Sequence, residues 1–398
     1  MSRAVEQESL FAQATGEALR PRRLHHDPWG TFARSLLTHY LAQRRAGLAT
    51  VRIYRCYHWV TDFGWPDPAQ LAALCSDDPA LLPLRIATIL STRAQNTDSR
   101  TGRVVDRVAR RGARPSIIVQ ECASPFARCC ATLLATIAAD PVLFSLTLLA
   151  PGSPTYADLA RIARQAHGAE LLLAVDGARL ARLARQRVAT GAETPAPAAA
   201  ERPYVHPLTA LMRSDAWKAL WQGNEMPIVP TLHLLAAQLK RLYPLVFIAS
   251  LPAPGQPEPW KSANHYLIYA TRAPEAACMM NDLLVAEEIR CREAVWTTIL
   301  QGAWFRSRAA AARAQMLDEA RSTLLALLGQ RRAPFWPDLR LLLITRTFGR
   351  LATADYDILL RDLLAAGMVR CHRASRRGAL SEDALPGPRD RLELTPVE

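Results

Sequence analysis

The stretch 59-WVTDFGWPDP-68 follows an apolar run and brings together an acid, an aromatic and a glycine at Asp62, Phe63 and Gly64. A loop that holds a nucleotide-like cofactor needs such a carboxylate. It also needs glycine, so that the backbone can approach the ligand closely at positive φ. Here the single glycine is followed by Trp65 and Pro66. The plain alternative for Asp62 is a turn acid capping the next helix. Glu121 closes the apolar run 116-SIIVQE-121. A carboxylate there can accept from two ribose hydroxyls, or it is simply an exposed acid at a strand end. Arg100, Arg103, Arg107, Arg110 or Arg111, and Arg114 recur three to four residues apart, opposite Val104, Val105 and Val108. This spacing lines guanidinium groups along one helix face, as phosphate contacts require, and a solvated face has the same pattern. A second basic group, 373-RASRRG-378, offers Arg373, Arg376 and Arg377 to a nucleic-acid backbone or minor groove.

Other chemistries find little support. Cys56, Cys75, Cys122, Cys129, Cys130, Cys278, Cys291 and Cys371 form no CxxC pair. The spacing of Cys122, Cys129 and Cys130 fits no zinc template. The 25-HHDPW-29 turn pairs His25 and His26 with Asp27 but lacks a third anchored ligand. There is no HExxH, no P-loop and no GxSxG in a strand–turn–helix context. No metal is expected, and no catalytic residue can be named.

The bulk properties set the frame. The 398 residues are 50% hydrophobic, enough for a large core and roughly two to three domains. Mean hydropathy is −0.02. The longest apolar runs, such as 131-ATLLATIAA-139, are too short to span a bilayer. The first thirty residues mix both charges and read as no signal peptide. The expectation is a cytoplasmic protein with no membrane partner and free, small, buried cysteines. The net charge is +13 and the pI about 9.8. The excess is arginine, with lysine only at Lys218, Lys240 and Lys261. Arginine's planar fork suits phosphate, so the charge permits a nucleic-acid partner. Richness in alanine, arginine and leucine also reflects a GC-rich coding bias.

These groups must be positioned by an alternating chain. Residues 28–49 carry helical periodicity through Phe32, Leu36, Leu37, Tyr40 and Leu41. A strand is expected over 51–60, a helix over 80–94, and a basic amphipathic helix over 98–114. Strands over 116–122, 144–151 and 169–176 alternate with helices over 124–139, 155–167 and 177–188. Such alternation implies parallel βαβ units. A proline–alanine linker follows at 189–203. Helices are expected over 206–221 and 228–242. The strands 244–252 and 264–272 leave no room for a helix between them, so they should pair antiparallel. Helices over 275–328 form a connector. The tail reads helix 336–351, helix 353–368, strand 369–374, wing, strand 391–396, the order of a winged helix-turn-helix. Thr353 is the expected N-cap and Gly367 the closing glycine. Asp355, Asp357 and Asp362 on the second of these helices would meet phosphates badly in a major groove, so protein docking or dimerisation is an equal expectation there.

The segments 264-NHYLIYATRAPEAACMMNDLL-284, 208-LTALMRSDAWKAL-220 and 32-FARSLLTHYL-41 resemble those of the three-Cys-motif partner proteins (TcmP), loosely over residues 28–290. The resemblance implies a class I, S-adenosylmethionine-type Rossmann fold. It also implies a protein partner, a radical-SAM-like protein with a three-cysteine motif. In that family the first strand ends in an acid followed by FAGPG. Here Asp62, Phe63 and Gly64 remain and the glycine pair is lost, with Trp65 adding bulk where the methionine end would lie. The family's later DPFG is Ala150-Pro151-Gly152, without the carboxylate. Glu121 stands where the ribose-binding carboxylate is expected.

The sequence therefore predicts an α/β chain, a class I methyltransferase-type sheet that is parallel with a terminal antiparallel hairpin, plus a C-terminal winged helix. Its expected parts are an arm at 1–27, the α/β domain at 28–285, a helical connector at 286–328 and the winged helix at 329–398. The expected function is that of a degenerate methyltransferase-like partner protein, without cofactor or with weakly held S-adenosylmethionine. The alternative is an active methyltransferase with a remodelled loop.

Overall fold

The computed structural model describes residues 28–46, 54–60, 84–91, 117–122, 126–137, 141–150, 152–188, 205–222, 226–251, 265–296, 302–330, 335–374 and 385–395. Strands β1 (Tyr54–Val60), β2 (Leu84–Ser91), β3 (Ile117–Cys122), β4 (Val142–Thr147) and β5 (Ala169–Asp176) are all parallel. Strands β6 (Leu245–Leu251) and β7 (His265–Thr271) complete a sheet of order β3-β2-β1-β4-β5-β7-β6. β7 runs antiparallel to both neighbours, so the expected hairpin is present. Every residue of β4 is buried. That is how a strand covered by helices on both faces reads.

Side chains alternate across the sheet. Val142, Phe144 and Leu146 enter one core with Leu171 and Leu173, while Leu143 and Leu172 enter the other. The first core is closed by α2 (Phe126–Thr136), α3 (Tyr156–Gln165), α4 (Gly177–Val188), α5 (Pro207–Met212), α6 (Trp217–Leu220) and α7 (Ile228–Leu239). Helix α3 begins in a capping box. The Thr155 amide donates to Asp158 Oδ2 at 2.9 Å, and the Asp158 amide donates to Thr155 Oγ1 at 3.4 Å. Arg272, just past β7, donates to the carbonyls of Ala163 (2.9 Å) and Leu242 (3.0 Å) and lies 4.6 Å from the Tyr243 ring centroid. One guanidinium thus ties the sheet to α3 and to the turn after α7.

The second core lies under α1 (Pro28–Ala46) and α8 (Pro274–Trp296). Phe32, Leu36, Leu37, Tyr40 and Leu41 are buried, as their spacing requires. This core continues without a break into α9 (Gly302–Gly329), α10 (Trp336–Thr347) and α11 (Thr353–Ala365). Phe348 stacks on Phe247 of β6 with centroids 4.5 Å apart. Asn281 of α8 accepts from the Gly349 amide and donates to the Leu351 carbonyl, both at 2.9 Å. A two-stranded antiparallel ladder, β8 (Val369–His372) with β9 (Arg391–Leu394), follows α11.

Several expectations are corrected. Residues 84–91 form β2 rather than part of a helix. A short apolar run bounded by turn residues cannot be told from a buried helix by period alone, and Ile86, Thr88 and Ile89 favour the strand. Strand β4 starts at Val142 rather than 144. The expected helix over 206–221 is broken at Arg213, whose φ is 52°, into α5 and α6. Thr353 is not the N-cap, which falls on Ala352. Its amide and hydroxyl instead donate to Asp282 Oδ1 of α8, at 2.6 and 2.7 Å. Gly367, at φ 67°, closes α11 as expected. The arm 1–27, the 98–114 helix and the 189–203 linker lie outside the described residues.

Candidate functional site

In an open parallel sheet, ligands bind beyond the carboxyl ends of the strands, where the strand order reverses. Here that point lies between β1 and β4, because the chain winds outward from β1 through β2 to β3 and from β4 to β5. Trp59 pairs with Leu146, so β1 and β4 end level with each other. Asp62, Phe63 and Gly64 follow β1 directly and lie outside the described residues.

The β4 side of this point is described. Thr147, the last residue of β4, is 3% exposed, and its Oγ1 has no hydrogen-bond partner among the described residues. Two residues on, the buried Leu149 has φ 65°. A non-glycine residue held in the left-handed region costs about 1–2 kcal/mol, and such strain gathers at binding sites. The chain then turns through Gly152 at φ 75°, whose carbonyl accepts from the Phe126 amide at 3.0 Å. Ala150 is buried, so this turn presents no carboxylate from that position.

Farther along the same edge, Asp176 ends β5 opposite His265, which opens β7. Asp176 Oδ1 accepts from the amides of Ala178 (2.8 Å) and Arg179 (3.1 Å), capping α4. Burial pushes the His265 imidazole down to about 3, so it is neutral at neutral pH. No family model matches the chain, and no curated protein matches it. The site is therefore built from its residues alone.

Glu121 lies near the end of β3, opposite Leu90 of β2. Because 84–91 is a strand, Glu121 belongs to the third strand and the sheet edge. The end of β2, next to β1, carries Ser91 opposite Cys122. The fold thus sets the carboxyl end of β1 beside that of β4 and puts Glu121 two strands away from β1. Thr147, Leu149 and His265 were not singled out from sequence. A threonine in an apolar strand and a left-handed leucine carry no local signature.

The basic groups lie elsewhere. Arg100, Arg103, Arg107, Arg111, Arg114, Arg376 and Arg377 are outside the described residues. Arg373 is exposed just past β8. The acids on α11 are turned to structural work. Asp355 pairs with Arg313 of α9 and accepts from the Ala352 amide at 2.8 Å. Asp357 Oδ1 accepts from Trp336 Nε1 at 2.9 Å and Arg340 Nη1 at 3.2 Å. Of the three, only Asp362 remains exposed.

Among the described residues, no group of three or more His, Cys, Asp or Glu could hold a metal ion. No described helix is long and apolar enough to cross a membrane. Cys56 and Cys130 are buried and form no disulfide, and burial pushes the Cys130 thiol up to about 12.

Proposed function

We propose that the chain is a methyltransferase-like binding protein with a degenerate cofactor loop, acting with nucleic acid or a protein partner. On this reading it has a class I methyltransferase-type Rossmann sheet and a C-terminal winged helix. One observation carries it: β7 is inserted antiparallel between β5 and β6, with the strand order reversing between β1 and β4. That is the strand arrangement of the S-adenosylmethionine-type fold. The order α10, α11, β8, β9, with Phe335 bridging Arg391, supports the winged-helix reading. The resemblance to three-Cys-motif partner proteins names a radical-SAM-like protein as one partner class.

The degenerate loop follows from chemistry. Asp62 and Gly64 remain, but Trp65 and Pro66 replace the glycines that would let a cofactor approach. Glu121 lies a strand too far from β1 to serve the ribose in the usual manner. A second reading, an active S-adenosylmethionine-dependent methyltransferase with a remodelled loop, is favoured by the buried, unpartnered hydroxyl of Thr147 at the strand reversal. A bound polar ligand would satisfy it.

Titration of S-adenosylmethionine into the full chain by calorimetry separates the two. The binding-protein reading expects no heat up to millimolar ligand. Saturable heat that Asp62→Ala abolishes, with Glu121→Ala as the companion variant, would establish the enzyme reading instead.

A further inference from the structure

The β8–β9 ladder turns a charged face to solvent. Its register sets Arg370 against Glu393 and His372 against Arg391, and all four are exposed. Val369 and Leu392 point into the second core. Arg373 beyond β8 and Arg389 before β9 are exposed as well.

The acids nearby are already engaged. Glu393 Oε2 lies 3.2 Å from His372 Nε2. Asp390 accepts from the Ala374 amide at 3.0 Å and from the Gly387 amide at 2.8 Å, which with the nearby Arg373 guanidinium holds its carboxyl below the usual range. The neighbouring helix has the opposite character. The exposed residues of α11 are Ala354, Ile358, Asp362 and Ala365. None is a guanidinium or amide that could pair with a base edge, and Asp362 repels phosphate.

We propose that the outward face of the β8–β9 ladder, through Arg370, Arg389 and Arg391, grips the phosphate backbone of nucleic acid without reading its sequence. This rests on the nucleic-acid arm of the function proposed above. Three guanidinium groups on and beside one short ladder can form charge-assisted, bidentate contacts that a phosphate matches in geometry. Contacts to phosphate position a chain and carry no sequence information, and no fully exposed residue of α11 is a base-reading group that would add any.

The test is fluorescence anisotropy of the full chain with a labelled duplex of about 25 base pairs, from about 50 to 200 mM salt, a range over which phosphate contacts dominate the salt response. The wild type should bind with a steep salt dependence and lose less than about threefold when the duplex sequence is scrambled. Arg370→Gln with Arg391→Gln should reduce the slope of log K against log salt by about 1.8, and weaken binding by roughly a hundredfold at low salt. Arg389→Gln, at an exposed position before β9, should reduce the slope by about 0.9 and keeps the test alive if the double variant fails to fold. Wild-type binding that none of these changes moves would overturn the hairpin as the contact and leave polynucleotide binding to residues 100–114. Tenfold discrimination between sequences would overturn the indifference to sequence. No wild-type binding at low salt would overturn both this inference and the nucleic-acid arm it rests on.

Discussion

Glu170 lies beneath α1, where four donor groups reach its carboxylate. Arg44 donates to Oε1 through Nη2 at 2.8 Å and Nε at 3.0 Å. Tyr40 and Tyr54 donate to Oε2, and the Tyr40 hydroxyl also meets that of Tyr269 at 2.7 Å. Burial, then Tyr269 and Glu170, push the Tyr40 hydroxyl well up, so it stays a donor. Removing one partner of such a buried pair strands the other. Glu170→Ala should cost about 3–5 kcal/mol, read as a lower urea midpoint. Gly349 has φ 74°, and a Cβ there would meet Leu284 Cβ at 3.4 Å. Gly349→Ala should cost about 1–2 kcal/mol in the same measurement. His265 gives a pH dependence. Its folded pKa lies near 3, below the ordinary 6.5, so between those values the unfolded chain binds a proton that the folded chain refuses. Stability then falls as pH falls through that window. The urea midpoint of His265→Gln should drop less than that of the wild type between neutral pH and the acid end. An equal drop would assign the acid limb to other groups.

Among the elements, α9 has two distinct halves. Ala320, Leu324, Leu327 and Leu328 enter the second core, while residues 306–308 and 310–315 are exposed. Trp304, 50% exposed, has the Arg308 guanidinium 5.1 Å from its ring centroid. The exposed half is helical through alanine's propensity more than through packing. Ala311→Gly should therefore speed amide exchange across residues 303–315 by about fivefold, from a cost of about 1 kcal/mol. The global melting temperature should not move. The turn before α11 is the converse case, because Asn281 and Asp282 hold it by backbone hydrogen bonds from another element. Asn281→Ala removes both partners of Gly349 N and Leu351 O, and should cost about 2 kcal/mol globally.

At the scale of the whole molecule, the C-terminal helices share a core with the sheet instead of hanging from it. Phe247, Tyr269 and Leu284 all pack in the same cluster as Phe348, Tyr356 and Leu360. A chain ending at residue 330 should expose that face and aggregate, whereas the full chain should show coincident loss of near- and far-ultraviolet circular dichroism on heating. A soluble, folded truncation would mean that the two parts are independent domains.

Much of this was legible in the residues. Periodicity placed α1, α3, α4 and the hairpin β6–β7, because their apolar spacing or lack of room for a helix leaves few alternatives. The strand 84–91 was not legible, since a short apolar run buried in a parallel sheet has no period of its own. Missing it moved Glu121 from the second strand to the third. The tertiary structure alone decided that Asp355 and Asp357 face Arg313, Trp336 and Arg340. It alone left the Thr147 hydroxyl without a partner among the described residues and turned Arg370 and Arg391 outward together. Each depends on which side chain arrives from a distant part of the chain, and spacing along one element does not record that.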